Sequence, residues 1–594
     1  MSPEAERRLS NGFILATALA CIFQILWFAS TSFAHIDHDA LTYIGIARHL
    51  RQGQIHAAIN AFRSPLISWF IAAGSFVDGN VLRVGKVINI SCFLISAALV
   101  YHLSNRLWQS RLAASIAAFW FSLARGVAAT AVTLVSPDLL LTVLVLVYFL
   151  LLLRCIRFDH PRDWVLLGLV HGLAYLAKAF ALPWLAVATL VTIAISVPKL
   201  SQRLKRLVLA GFFPLLISAA WGAALYSKYE VFTTGSQFKF NFIIHNVRNF
   251  RQKSARFALL TDAAPGAGPA DPSNLKMDEL MVNDPMPPHS RAWQYRPTIR
   301  QAVPLIIAAE WKNVLGALKE VTILVSPGGI LGFLVMPWLM ARRRTEYAPE
   351  FRFTVVVVVS AVSLIFAYCM LVFLTTYAFP LAALIMAVTV RLFVTDDRFT
   401  VNVWWQRICL VLAIAGLLVS FVYASSPFRT IDRDFQASCH DAARKLQASA
   451  GSRIVTVGNG PYPEHGVGWE AGFTVAYFTN RQIVAIGDLP TSEQMSVWMD
   501  DIRNASSDAV LVWGRPNDVN YQLALHGLES EYHTNLPIID PALGEVGRIV
   551  EGRLTRTEAR FQAVPWTWGR WVGFRPHTAT CAMLQGARIT RNRG

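Results

Sequence analysis

The chain runs to 594 residues, of which 54% are hydrophobic and only 15% charged, a balance that leaves too little polar surface to coat a water-soluble fold of this length. A net charge of +17 would suggest a nucleic-acid partner in a soluble protein, but in an apolar chain it marks basic loops retained at one face of a membrane. Seven cysteines make no disulfide framework and no CxxC pair. Cys21, Cys92, Cys155, Cys369 and Cys409 lie inside apolar runs, whereas Cys439 and Cys581 stand in polar surroundings where an oxidising compartment would let them bridge.

A bilayer-spanning helix needs about 20 mostly apolar residues, because every backbone polar group must be satisfied without water. About eleven such runs occur, near 12–33, 82–104, 112–128, 136–153, 163–178, 180–197, 207–226, 326–341, 352–373, 378–394 and 404–424. The pair 163–178 and 180–197 meets at a short turn before Pro183. The first run exceeds the core of a cleaved signal peptide and reads as an uncleaved helix.

Basic residues collect in alternate loops: Arg7 and Arg8; Arg106 and Arg111; Arg154, Arg157 and Arg162; Lys199, Arg203, Lys205 and Arg206; Arg342, Arg343 and Arg344; Arg398 and Arg407. All fall on the cytoplasmic side if the first helix runs outward. The segment 65–77 (PLISWFIAAGSFV) is too short to span and would invert every later loop if it did, so it is placed as a helix at the outer surface.

The expected architecture is therefore a polytopic α-helical membrane module over 1–425, with outer loops at 34–81 and 227–325, followed by an extracytoplasmic α/β domain over 426–594. In that last part the runs 453–457 (RIVTV), 473–477, 483–486 and 509–513 (AVLVW) read as strands, and 434–450 and 492–504 as helices between them. The middle of the second outer loop, DAAPGAGPADPSN, has loop composition, and 298–325 reads as an amphipathic helix leading into the next span. Gly458-Asn459-Gly460 follows a strand but completes no phosphate-loop pattern, and Glu464, His465 and Glu470 lack zinc-ligand spacing. Acceptor contact, or cover for the membrane cavity, is the role expected of this domain.

The first outer loop, His35-Ile36-Asp37-His38-Asp39-Ala40-Leu41-Thr42-Tyr43, places acids at a membrane exit. From Leu41 the apolar residues Ile44, Ala47 and Leu50 recur at helical spacing and Gly53 ends the run, so Asp39 sits near a helix N-terminus. Taken alone, that position is a helix cap, and His35 and His38 are interfacial residues. Lys178 at a span end fits a lysine snorkelling to the interface, Asp138 fits a cap or a partner for a neighbouring cation, and Tyr377 fits an interfacial anchor.

Taken together, the pieces resemble the GT-C superfamily of polytopic glycosyltransferases, in the branch of the protein O-mannosyltransferases and the lipid A aminoarabinose transferase. Asp39, Tyr43, Ala47, Leu50 and Gly53 match a pattern similar to acid-x-x-x-Tyr-x-x-x-Ala-x-x-Leu-x-x-Gly. Arg63-Ser64-Pro65-Leu66 before Trp69, Arg83 opening the second span, Ser136-Pro137-Asp138, Gly172 to Lys178 before Pro183, and TTYAFP with Tyr377 and Pro380 are similar to further landmarks. Two departures stand out. Arg63 occupies a position usually held by lysine, and Asp39-Ala40, with another acid at Asp37, stands where the family often has Asp-Glu.

The resemblance implies a donor sugar linked through phosphate to a polyprenyl lipid, transferred on the outer face to a lipid, polysaccharide or protein acceptor. A carboxylate, Asp39 first and Asp37 second, would take the acceptor proton while the anomeric carbon inverts. Lys178, Arg63 and Arg83 would hold the departing phosphate, with Tyr43, Asp138 and Tyr377 in support. No cofactor is expected, although Asp37 and Asp39 offer oxygen ligands suited to Mg²⁺ or Mn²⁺. The competing class is a transporter or flippase of envelope glycan precursors, but the singled-out charges gather at the outer ends of spans rather than at the midplane.

Overall fold

A computed structural model of the protein describes residues 2–32, 38–246, 299–341, 348–370 and 374–394, together with residues 258–259, the strands after 450 named below, and isolated positions between 407 and 526. The chain divides into two compact units. One comprises Met1–Phe33, Thr42–Val247 and Asp284–Thr430, the other Ala34–Leu41, Arg248–Asn283 and Ile431–Gly594.

The first unit is helical. In chain order it holds α1 (Pro3–Ser32), most of α2 (His38–Arg51), α3 (Ile55–Ala58), α4 (Leu66–Gly74), α5 (Val81–Trp108), α6 (Arg111–Ser122), α7 (Arg125–Thr133), α8 (Asp138–Phe158), α9 (Pro161–Ala177), α10 (Ala181–Ser196), α11 (Leu200–Tyr229), α12 (Gln237–Asn246), α13 (Ile299–Ala341), α14 (Ala348–Cys369) and α15 (Phe379–Thr389). Local chemistry sets many of the ends. Asn80 caps α5 by accepting from the Arg83 N–H, and Ser110 caps α6 by accepting from that of Ala113. Gly53 takes a φ of +75° just past α2, the left-handed conformation expected of a glycine ending a helix.

Among the described residues seven helices are long and apolar enough to cross a bilayer. An eighth crossing follows if α6 and α7 are taken together. The expected single run 112–128 is in fact this pair, bent by 55° at Leu123–Ala124. Three further expected spans remain: α9 and α10 are helices of 17 and 16 residues, and 404–424 lies almost wholly outside the described residues. The segment 65–77 forms only the nine-residue α4, well short of a crossing.

The helical core is built on close pairings: α9 with α11 and α8, α5 with α6 and α8, α13 with α14 and α15, and α15 with α8. The α9–α11 approach is the tightest, since a Cβ on Gly168 would lie 2.5 Å from the Ala210 carbonyl oxygen. Long α13 is two helices joined at a kink. Ser326 (φ 67°, ψ 158°) interrupts it where the sequence places the change from amphipathic helix to span.

Among the described residues the second unit carries eight strands: β1 (Ala258–Leu259), β2 (Arg453–Gly458), β3 (Gln482–Gly487), β4 (Ala509–Gly514), β5 (Pro537–Asp540), β6 (Gly544–Val550), β7 (Arg553–Arg556) and β8 (Thr580–Gln585). β1-β3-β2-β4-β8 form one sheet, parallel across β3-β2-β4 and antiparallel at both edges, while β5-β6-β7 form an antiparallel sheet. Three of the expected strands are thus present as β2, β3 and β4. Parallel neighbours need crossover connections; the segment 459–481, with the strand expected at 473–477, and the helix expected at 434–450 lie outside the described residues, and of the helix expected at 492–504 only isolated positions are described, 495, 496, 499 and 500 as helical. β1 was not expected, because it lies in a stretch of loop composition. Cys21, Cys92, Cys155 and Cys369 are free and buried, as read from their apolar settings, whereas Cys439 falls outside the described residues.

Candidate active site

The site is assembled at one end of the helical unit, where α8 begins, α9 stops, and α14 passes to α15. α9 ends at Ala177, and Lys178 takes an extended conformation (φ −154°, ψ 119°) before α10 begins at Ala181. His171 stabilises this break by hydrogen-bonding through Nε2 to the Leu182 carbonyl, at 2.8 Å. The turn puts Lys178 beside the first residue of α8, and its ammonium pairs with the Asp138 carboxylate, each side chain less than a tenth exposed. An acid at a helix N-terminus and a cation at a helix C-terminus each suit the local dipole, so the pair is favoured on both sides. Pro137 occupies the cap position of α8, leaving Asp138 to serve Lys178.

Aromatic rings close over the cation. Lys178 Nζ lies 4.1 Å from the centroid of the Tyr377 ring. Tyr377 stacks on Tyr368 at 4.1 Å, and Tyr368 meets Phe180 at 4.3 Å. A cation facing a ring in a desolvated setting gains about 2 kcal/mol, and the same rings exclude water from the ion pair.

The Arg63 loop is brought to the same place. Ser64 Oγ accepts from the Ala179 N–H at 3.1 Å, joining the residue after Arg63 to the residue after Lys178. Asn60 Oδ1 accepts from the N–H groups of Phe62 and Arg63 at 2.9 and 2.7 Å, folding the loop into an Asx turn. From below, Lys228 Nζ donates to the Ala57 and Ile59 carbonyls at 3.1 and 2.6 Å, and Ser236 N–H donates to that of Ala61 at 2.7 Å. The Arg63 guanidinium, 8% exposed, lies over the rings of Phe62 at 4.6 Å and Tyr43 at 5.6 Å. Tyr43 is itself buried and anchored through its carbonyl to Ser68 Oγ at 3.0 Å.

Of the eight expected site residues, Lys178, Asp138, Tyr377, Arg63 and Tyr43 thus form one connected group. Arg83 is placed apart. Its side chain is 58% exposed and pairs with Asp78 at 3.4 Å. Asp39 lies in the first turn of α2, one turn ahead of Tyr43. Asp37 lies outside the described residues. Among the described residues no three His, Cys, Asp or Glu side chains group as metal ligands. Sequence reasoning missed Tyr368, Phe180, Ser64 and Asn60. Asn60 alone carried a local signal, the short polar side chain two residues ahead of a turn.

Apolar helices long enough to cross a bilayer, with an enclosed lysine–carboxylate pair at their ends and an arginine loop fastened alongside, are the features of a polytopic membrane protein. Residues 62–221, which hold Arg63, Asp138 and Lys178, match the family model described as dolichyl-phosphate-mannose-protein mannosyltransferase. The undecaprenyl phosphate-alpha-4-amino-4-deoxy-L-arabinose arabinosyl transferase of Erwinia tasmaniensis is 29% identical over 206 residues, covering 33% of this chain and 35% of that protein. The chain therefore matches about a third of that relative's length.

The fold is similar to that of ArnT from Cupriavidus metallidurans. In the structure bound to undecaprenyl phosphate the TM-score is 0.50 at 14% identity, over 85% of this chain and 93% of that one. In the apo state it is 0.52 at 13% identity, over 89% and 96%. Sequence similarity over part of the chain and a similar fold thus point in the direction its motifs implied.

Proposed function

We propose that the protein is an integral membrane glycosyltransferase that moves a sugar from a polyprenyl-phosphate donor to an envelope acceptor on the extracytoplasmic face. The observation that carries this reading is the buried Lys178–Asp138 pair under Tyr377, with the Arg63 loop fastened to the next residue. Arg63, buried beside this pair, is the second cation proposed to meet the lipid phosphate. Undecaprenyl phosphate, named in the ArnT structure of matching fold, is the donor lipid chemistry this supports. Arg83, exposed beside Asp78, is the least supported of the three phosphate-binding cations.

In the proposed reaction the acceptor hydroxyl or amine attacks the anomeric carbon. The bond to the phosphate oxygen breaks with inversion, the lipid phosphate leaves with the electron pair, and a carboxylate takes the acceptor proton. Asp39 is the proposed base, with Asp37 the alternative. General-base assistance contributes about 10²–10⁴ in rate, and fixed cations at the leaving phosphate stabilise the charge that develops there.

Reconstitution with radiolabelled polyprenyl-phosphate sugars tests the reading. Asp39→Asn should lose about 10²–10⁴ in turnover, and Lys178→Ala should lose donor binding. Unchanged turnover in Asp39→Asn removes it as the base. Movement of the labelled lipid across the bilayer without transfer would establish the flippase alternative instead.

A further inference from the structure

α13 bears polar side chains that the proposed chemistry leaves unused. Asn313 and Glu320 stand seven residues, about two turns, apart, so they share one face of the helix. Asn313 Nδ2 donates to the carbonyl of Cys369, the last residue of α14, at 2.8 Å. Thr375 Oγ1 donates to Glu320 Oε2 at 2.5 Å. Thr375 opens the 3-10 turn Thr375–Ala378 that leads directly into α15. α13 therefore grips the chain on both sides of the α14–α15 connection.

Tyr377 sits inside that turn, its N–H donating to the Leu374 carbonyl at 3.0 Å. Its ring is the one that covers Lys178 and stacks on Tyr368. Between the two gripping residues Ala317 is fully buried, so the face is packed as well as hydrogen-bonded. The helix then breaks at Ser326, whose φ of 67° with ψ of 158° lies in a region that only glycine enters without strain. Ser326 Oγ accepts from the Gly329 N–H at 3.3 Å and Pro327 follows, a start signal for a separate second helix. The first half of α13 is thus its own rigid piece, joined to the second at a single strained residue.

We propose that Glu320 is a positioning residue. Through Thr375 it sets the Tyr377 ring over the Lys178 ammonium, and with Asn313 it makes the first half of α13 the arm that keeps this cap seated. A hydroxyl donating to a carboxylate is among the stronger hydrogen bonds, and the ring–cation contact it positions weakens steeply with distance. The effect on turnover rests on the glycosyltransferase reading; the effect on the position of Tyr377 does not.

The test places 3-fluorotyrosine at position 377 of the full chain in lipid nanodiscs and records fluorine NMR, where stacking on Tyr368 shifts the resonance. Glu320→Ala and Thr375→Val should each move it in the same direction, toward the position of an unstacked ring, and the double variant should move it no further than either alone. Glu320→Gln, which still accepts a hydrogen bond, should leave it in place. A resonance unmoved by both single variants, in protein with an unchanged thermal midpoint, overturns the proposal, and near-isosteric Thr375→Val carries the test if Glu320→Ala does not fold.

The fluorine signal needs no substrate, so its outcome is separate from failure of the transferase reading. With labelled donor, Glu320→Ala should raise donor KM about tenfold while kcat changes little, as expected for lost hydrogen bonding to a charged group. In a Tyr377→Ala background it should add nothing. A full tenfold effect there would overturn the route through Tyr377.

Discussion

Helices α8 and α9 carry ion pairs at both ends, and the two settings differ. At the basic-loop end Arg154 pairs with Asp163 at 2.9 Å, Arg206 holds Asp159 through two bonds of 2.8 and 3.0 Å, and Arg157 meets Glu350. These arginines also donate to main-chain carbonyls, Arg157 to that of Arg106 at 2.7 Å and Arg206 to that of Asp159 at 2.9 Å. The result is a mesh that ties the ends of α5, α8, α9, α11 and α14 together. At the opposite end Asp138 pairs with Lys178, enclosed by Tyr377, Tyr368 and Phe180.

Desolvating two charges costs several kcal/mol per ion, so a buried pair adds little net stability over apolar residues of the same size. The mesh keeps part of its charge in water, with Arg154 about half exposed, and repeats the contact several times, which suits a fold lock. The enclosed Asp138–Lys178 pair suits a site. The same residue chemistry does different work according to solvent access and what lies above it.

The sharpest way to break this contrast is at Lys178. Lys178→Met should destabilise the protein by about 3–5 kcal/mol, because Asp138 is left buried without its partner. Lys178→Met combined with Asp138→Leu should recover most of that loss in denaturant unfolding and stay inactive in sugar transfer. Recovery of turnover in the double variant would mark the pair as structural.

Gly168→Ala comes next. The new Cβ would press on the Ala210 carbonyl, and overpacking of this kind costs about 1–3 kcal/mol. Since α9 bears both ends, donor affinity should fall along with the unfolding midpoint. A change in only one of the two would show that the ends are held independently.

Asp163→Asn removes a fully buried carboxylate from the mesh. Burial of a polar group with imperfect partners costs about 1–3 kcal/mol, so thermal unfolding should shift down while turnover per folded molecule stays the same. The smallest effect is expected at Arg83. Its exposed pair with Asp78 adds nothing measurable to unfolding, and Arg83→Gln should raise donor KM less than Arg63→Gln. Equal rises in the two variants would place Arg83 in the phosphate site.

Much of the framework was legible because it is local. The positions of α5, α8, α11 and α14 follow from apolar runs, although α11 extends past its run at both ends to take in Arg203, Lys205 and Arg206; Gly53 stops α2 where only a left-handed residue fits, and the break between α9 and α10 announces itself at Pro183. Strands β2, β3 and β4 were legible from their β-branched runs. The division of 112–128 into α6 and α7 was not, since no proline marks Leu123–Ala124 and its apolar residues suit a straight helix equally well. β1 hid for the opposite reason: two residues at a sheet edge draw on partner hydrogen bonds rather than on any pattern of their own.

The site divides along the same line. Lys178, Arg63, Asp138, Tyr43 and Tyr377 could be named one by one from short motifs, and the sequence by itself placed most of the long helices and several of their ends, because those depend on side chains a few positions apart. Which charge meets which was decided only by tertiary structure. Antiparallel packing of α8 on α9 brings Asp138 to Lys178 across 40 positions of chain, and the turn into α15 lays Tyr377 over Lys178. Such contacts depend on how helices close on one another, and periodicity along a chain carries no record of that.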